Sequence, residues 1–184
     1  PVIDSIPCDT FSHFDTHTDT VVYAYRSNNR VICLDANTGA TRWNRTGLSG
    51  NMRSGAPAVF DSLLICHDNS TGATQRKVTA LRVRNGLTAW TSASLLQRLF
   101  LGPALSNDTI FVAGRGAGIS GDGGGQINAI NANTGAVIAT FDDAAPRNYQ
   151  NGVVVFGDNL LAITRNDAVD GFSASIQVWR HTHD

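Results

Sequence analysis

Apolar residues along this chain come in short runs, each closed by a cluster of Asn, Asp, Thr or Gly. The run ending at Leu34 meets Asp35-Ala-Asn-Thr-Gly39 and recovers at Trp43, and the run ending at Leu81 meets Arg82-Val-Arg-Asn-Gly86 and recovers at Trp90. A third version, Ile130-Asn-Ala-Asn-Thr-Gly135, recovers at Ala139 instead of a tryptophan. Runs this short, bounded by turn residues, predict β-strands joined by tight hairpins in which glycine supplies positive φ. No window of helical length carries an amphipathic pattern.

A second phrase recurs between these: Asp19-Thr-Val-Val-Tyr23, Asp61-Ser-Leu-Leu-Ile65, Asp108-Thr-Ile-Phe-Val112 and Asp158-Asn-Leu-Leu-Ala162, at intervals of 42, 47 and 50 residues. Small-residue stretches precede it at Gly55 to Val59, Gly102 to Leu105 and Asn151 to Val155. The strand before the glycine turn recurs at Val31 to Leu34, Val78 to Leu81, Ile127 to Ile130 and Ile176 to Trp179. Four strand-like runs in a period of this size predict propeller blades. The expected architecture is all-β: a β-propeller of four four-stranded antiparallel blades, each about 46 residues. It forms a single domain over 1–184, with repeats 19–60, 61–107, 108–157, and 158–184 together with 1–18. The small-residue strand is innermost, and an Asp carboxylate pins the turn after it. Trp43 and Trp90 begin outer strands, where a flat ring of on the order of 200 Å² covers the gap to the neighbouring blade.

The stretch Asp35-Ala-Asn-Thr38-Gly39-Ala-Thr-Arg-Trp43 resembles the repeat of the PQQ-like (quinoprotein-type) β-propellers. In that family an Ala-x-Asp-x-x-Thr-Gly-x-x-x-Trp stretch docks each blade on the next; here Cys33 stands in place of its Ala. The second repeat, Ala80 to Trp90, lacks the Asp and Thr, and the third, Ala129 to Ala139, lacks the Asp and Trp. The resemblance covers essentially the whole chain and implies the propeller fold. It does not bring the family's catalysis with it. The quinone site of quinoprotein dehydrogenases uses a vicinal disulfide and a Glu/Asn/Asp calcium cluster, whereas Cys8, Cys33 and Cys66 are far apart and Glu is absent.

Trp43 precedes Asp61 by 18 residues, as Trp90 precedes Asp108, and 18 before Asp19 is Pro1. Trp179 aligns with Leu34, which places Asp184 at the Gly39 position. The last blade is therefore expected to lack its outer strand, and an unfilled sheet edge invites another strand. The alternating run Val2, Ile3 to Ile6 fits that role as an assembly strand. Supplied by the same chain it closes a ring; supplied by a neighbouring chain it gives a homo-oligomer, a larger ring or a filament. A fragment of a longer polypeptide is the third alternative, and all three stand at this point.

Composition narrows the chemistry. Fifteen Asp and no Glu, with 13 Arg and one Lys (Lys77), suit turns and strands and not helices. A net charge of −1 leaves no basic stripe for nucleic acid. No apolar run approaches the roughly 20 residues of a membrane span. A chain opening on Pro1 fits a processed, exported protein, hence an extracellular, cell-surface or periplasmic location. Cys33 and Cys66 lie within apolar runs and read as buried thiols, with a bridge between them allowed in an oxidising compartment.

Candidate metal ligands are few. His181 and His183 alternate on a strand and are candidates for a shared transition metal, with His17 or Asp184. Asp122 lies in the glycine-rich loop Gly114 to Gln126, and Asn166, Asp167 and Asp170 lie in the equivalent fourth-repeat loop; both are calcium candidates. That glycine loop has no helix after it, so it is not a phosphate cradle. There is no Gly-x-Ser-x-Gly elbow and no carboxylate pair built on glutamate. The expected protein is non-catalytic and needs no cofactor: a scaffold, interaction platform or subunit of a larger assembly whose partners are proteins, itself included. The alternatives are a glycan or small-ligand module using Tyr25 and Tyr149, and a degenerate PQQ-dependent dehydrogenase-like protein.

Overall fold

The apolar runs become strands, and consecutive strands pair. The computed structural model of the protein describes residues 15–17, 21–26, 30–48, 57–69, 76–95, 97–99, 102–116, 126–142, 153–156, 159–168 and 171–180. Among these, sheet one joins β1 (Asp15–His17), β2 (Val21–Arg26), β3 (Arg30–Asp35) and β4 (Thr41–Arg45) in chain order. Sheet two joins β5 (Ala58–Phe60), β6 (Leu63–Asn69), β7 (Arg76–Arg82) and β8 (Thr88–Thr91) in the same way. Sheet three holds β9 (Gln97–Leu99), β10 (Ala104–Ser106), β11 (Thr109–Gly116), β12 (Gln126–Asn131) and β13 (Val137–Asp142). Sheet four holds β14 (Val153–Phe156), β15 (Asn159–Ala168) and β16 (Gly171–Arg180). Every described pairing is antiparallel, and no described element is a helix.

The sheets stack face to face, which explains why their central strands are apolar on both sides. Successive side chains point to opposite faces of a strand. Val31 and Cys33 of β3 therefore share a core with Leu64 and Cys66 of β6 and Leu81 of β7, closing sheet one on sheet two. The alternate residues Leu63, Ile65, Val78 and Ala80 look the other way, onto Ile110, Val112 and Ile130 of sheet three. Phe111, Ala113, Ile127 and Ala129 then meet Val153 of sheet four. One strand thus serves two cores, and a one-residue slip would exchange them. The short strand β10 lies against both β5 and β14, so the small-residue strands of neighbouring sheets approach one another.

Four details differ from expectation. Sheet three gains β9, whose Leu99, Arg98 and Gln97 pair with Gly114, Arg115 and Gly116, so β9 and β10 share one edge of β11. The same pairing extends β11 to Gly116, shortening the glycine-rich connection. The fourth-repeat loop expected to hold Asn166, Asp167 and Asp170 is instead a long hairpin. Its ladder runs from Asn159↔Arg180 to Ala168↔Gly171, and Asn166 and Asp167 are ladder positions opposite Ser173 and Phe172. Backbone pairing with β16 overrides the polar, turn-like composition there.

The fourth difference concerns the turn before the second strand. The two-residue turn is Asp61-Ser62 in sheet two but Asn107-Asp108 in sheet three, so Asp61 corresponds to Asn107 and not to Asp108. Asp61 (φ 53°) and Asn107 (φ 47°) adopt the left-handed conformation. Short polar side chains tolerate it, which is why Asp and Asn recur at this point. Val2, Ile3 and Ile6 lie outside the described residues.

Candidate functional site

The recurring feature of the described residues is a glycine turn, which in two of its three copies receives a tryptophan from the preceding sheet. Three such turns have one backbone design. The amides of Asp35, Arg82 and Asn131 each donate to the carbonyl five residues on, at 2.8 Å, from Ala40, Leu87 and Ala136. The amides of Gly39, Gly86 and Gly135 each donate back to those same three residues, again at 2.8 Å. This geometry needs φ of 70°, 69° and 75° at the three glycines. Glycine reaches that region without a Cβ penalty.

Side chains brace the turn differently in each sheet. Asp35 Oδ1 accepts from the amides of Asn37 and Thr38, both at 3.0 Å, and from Thr38 Oγ1 at 3.1 Å. Asn131 Oδ1 makes the same three contacts with Asn133, Thr134 and Thr134 Oγ1, each at 3.0 Å. In sheet two, where Arg82 stands at that position, Asn85 Oδ1 accepts from the Leu87 amide at 3.1 Å. Asp35 also makes an ion pair: the Arg42 guanidinium reaches its Oδ2 at 2.6 Å. That ion pair, with the Thr38 and Asn37 amides and the Thr38 hydroxyl, lowers the Asp35 pKa from 3.8 to about 2.

Two tryptophans use these turns. Trp43 Nε1 donates to the Val83 carbonyl at 2.8 Å, and Trp90 Nε1 donates to the Ala132 carbonyl at 2.9 Å. Each indole lies flat on the glycine of the turn it meets. A Cβ on Gly86 would stand 2.6 Å from Trp43 Cε3, and one on Gly135 would stand 2.4 Å from Trp90 Cε3. The acceptor carbonyls are held by their own amides, since Val83 donates to Ser62 O at 2.9 Å and Ala132 to Asp108 O at 2.7 Å. Sheet one grips sheet two, and sheet two grips sheet three, through one residue type and one turn type.

The sequence marks the tryptophans and glycines but not the acceptors. Positions 83 and 132 are Val and Ala, and what matters there is a main-chain carbonyl with no residue signature. Buried His67, Asp68 and Arg76, at the end of the β6–β7 hairpin where the two strands are connected, likewise carry no recognisable motif. Of the metal candidates, Asp167 lies in β15, while Asp122, Asp170, His181 and His183 lie outside the described residues. Among the described residues no group of three or more His, Cys, Asp or Glu converges, and no helix is long and apolar enough to cross a membrane. Cys33 and Cys66 are buried free thiols in the core between sheets one and two.

Stacked antiparallel sheets locked by tryptophan-to-turn contacts define a β-propeller of repeat type. Solved structures share this fold. BamB from Moraxella catarrhalis matches with TM-score 0.63 at 24% identity, over 85% of this chain and 45% of that one. Quinohemoprotein alcohol dehydrogenase from Comamonas testosteroni matches with TM-score 0.66 at 14% identity, over 83% of this chain and 29% of that one.

The family model described as outer membrane protein assembly factor BamB matches residues 11–182, and the chain belongs to this PQQ-like repeat family. Two curated proteins of that name are similar in sequence. That from Moranella endobia is 29% identical over 119 residues, and that from Salmonella typhimurium is 30% identical over 134 residues. These alignments cover 64% and 71% of this chain. The chain spans only 26% and 30% of the lengths of those relatives.

Proposed function

We propose that this chain is a non-catalytic β-propeller unit that binds proteins during the assembly of outer membrane proteins, working at the outer membrane or its periplasmic face. The observation that carries this reading is the family match over residues 11–182, whose description names an assembly factor. Chemistry supports it from the other side. Without Glu or adjacent cysteines, these residues cannot build the dehydrogenases' disulfide and calcium cluster, so the role calls for no quinone.

A binding platform needs exposed apolar area and open strand edges. Sheet three offers both. Its outer strand β13 is a sheet edge among the described residues, and Val137 and Ile138 on it are exposed, as is Leu87 in the glycine turn of sheet two. On this reading the four sheets are the blades of one domain, and the segment holding Val2, Ile3 and Ile6 completes the fourth.

Removal of the gene from its own host tests the role. Folded outer membrane β-barrels, scored by their heat-modifiable migration on gels, should fall and should recover when the gene is restored. Unchanged barrel levels, together with dye-linked alcohol oxidation by protein supplied with PQQ and calcium, would overturn it. Strand completion is tested separately by light scattering on protein lacking residues 1–7. An unaltered, stable monomer would exclude it.

A further inference from the structure

The three glycine turns share a backbone but not an acceptor. In sheets one and three the first residue of the turn folds its own Oδ1 back onto the amides two and three residues on. Asp35 accepts from Asn37 and Thr38, and Asn131 from Asn133 and Thr134, all four at 3.0 Å. In sheet two that first residue is Arg82, whose side chain carries donors only. The corresponding amides are those of Arg84 and Asn85. The Asn85 amide falls back on the Arg82 carbonyl at 3.2 Å, longer than the two 2.8 Å bonds that frame the turn. The surroundings are cationic. Arg82, Arg84 and Asn85 are exposed, and among the described residues neither of these two guanidiniums makes an ion pair or a hydrogen bond. Arg45 of sheet one reaches the exit of the same turn, where its Nη2 donates to Thr88 Oγ1 at 3.3 Å. The adjoining β5–β6 turn, whose Ser62 carbonyl accepts from the Val83 amide at 2.9 Å, brings Asp61. Three arginines thus meet one carboxylate.

We propose that the Arg82–Gly86 turn binds a carboxylate of another protein, an Asp or Glu side chain in an acidic segment. That carboxylate takes the place which Asp35 fills with its own side chain in sheet one. Sheet one displays the completed arrangement: the Asp35 carboxylate accepts from two successive amides through Oδ1 and from the Arg42 guanidinium through Oδ2, the latter at 2.6 Å. Sheet two has the same pair of successive amides and its own guanidiniums at Arg82 and Arg84, so the carboxylate comes from outside. Backbone amides in succession beside arginine bind such an anion through charge-assisted bonds. A planar carboxylate divides its two oxygens between amides and guanidinium as Asp35 does, which favours an acidic protein segment over a phospholipid headgroup. The backbone is held in place by its own bonds before anything docks, which lowers the ordering cost of binding. Naming a protein as the source rests on the protein-binding role proposed above, whereas the site itself rests on the comparison of the three turns.

The probe is an acetylated and amidated peptide of alternating Gly and Asp, titrated at low salt into the full ¹⁵N-labelled chain. Saturable downfield shifts of the Arg84 and Asn85 amide protons are expected. A peptide of alternating Gly and Asn should bind at least ~tenfold more weakly, because hydrogen bonds to a charged acceptor are lost. Arg82→Ala and Arg82→Asn remove the same charge, but only Asn brings an internal Oδ1, as Asn131 does. Arg82→Ala should therefore keep the shifts at reduced affinity, whereas Arg82→Asn should abolish them and raise the melting temperature. Equal binding by the two peptides overturns the proposal, as do equal responses of the two variants, shifts confined to other residues, or no shift at millimolar peptide. Stronger shifts of the same amides by soluble short-chain phosphatidylglycerol overturn the assignment to a protein. The peptide comparison uses the unaltered chain, so it decides the matter even where a variant fails to fold. Peptide binding alongside barrel levels indifferent to the gene would keep the site and remove the assembly role, and the opposite pair of results would do the reverse.

Discussion

The indole nitrogen of Trp43 donates to the carbonyl of Val83 at 2.8 Å, 40 residues further along and in the next sheet. Because the Val83 amide is itself bonded to Ser62, that carbonyl is a fixed target and not a passing one. Trp90 and Ala132 repeat the relationship with a separation of 42. Each contact joins two sheets by area and by one directed bond, and the two contributions separate experimentally.

Trp43→Phe and Trp90→Phe keep much of the ring and remove the donor. Each should destabilise the fold by about 1–2 kcal/mol, the cost of leaving a part-buried carbonyl without its partner. Trp43→Ala and Trp90→Ala, which also empty the gap between sheets, should cost about 3–5 kcal/mol. Guanidinium unfolding monitored by far-ultraviolet circular dichroism gives both values. Equal losses for the Phe and Ala variants would show that ring area contributes nothing.

The three turn glycines should respond unequally to alanine. All three variants bear the left-handed strain of about 1–2 kcal/mol. At Gly86 and Gly135 the new methyl also strikes the Trp43 and Trp90 rings, at 2.6 Å and 2.4 Å. Those two should therefore lose a further ~1–3 kcal/mol through overpacking, which Gly39→Ala escapes. Melting temperatures compared across the three variants check the order.

Asp35 makes acid stability predictable in sign. Its pKa falls from 3.8 to about 2 in the fold, held first by Arg42 and then by the Thr38 and Asn37 amides. A depressed carboxyl contributes stability that is fully present above its unfolded pKa and is lost as pH drops through the folded one. The contribution should thus vanish between about pH 4 and pH 2. Asp35→Asn should keep the turn, since Asn131 already makes the same three contacts in sheet three. It should flatten the melting temperature across that window, and a steepening there would contradict the assignment.

How far the sequence revealed this fold depends on what each feature is made of. Repeating apolar runs located the strands of sheets one to three, because strands buried on both faces leave continuous signatures at Val31–Leu34, Val78–Leu81 and Ile127–Ile130. Trp43, Trp90 and the turn glycines stood out because their geometry demands particular residue types. The carbonyls of Val83 and Ala132 did not, since any residue provides one. Strand β9 escaped because Gln97-Arg98-Leu99 has no turn residue beside it, and the Asn166–Asp167 segment misled because its polar composition imitates a loop. The one-residue slip at Asp61 and Asp108 arose within a two-residue turn, where both positions favour Asp and only φ distinguishes them.

The buried thiols give a further test. Burial pushes the Cys33 pKa above 9.0, with Arg42 opposing and Asp35 adding to the rise. Cys33, held as a thiol, and Cys66, sealed in the same core, should resist iodoacetamide at pH 8 in the native protein and react fully in denaturant. Mass spectrometry of Cys8→Ser protein counts the adducts without interference. Rapid native labelling of either residue would mean that sheets one and two separate readily.

Because Trp43 and Trp90 both reach forward, the partner of each is translated later. Trp43 has nothing to hold until Val83 and Gly86 have emerged, and Trp90 waits for Ala132 and Gly135. During synthesis sheets one and two must each stay provisional until the next sheet arrives, so this part of the nascent chain matures as a wave trailing the ribosome by one repeat.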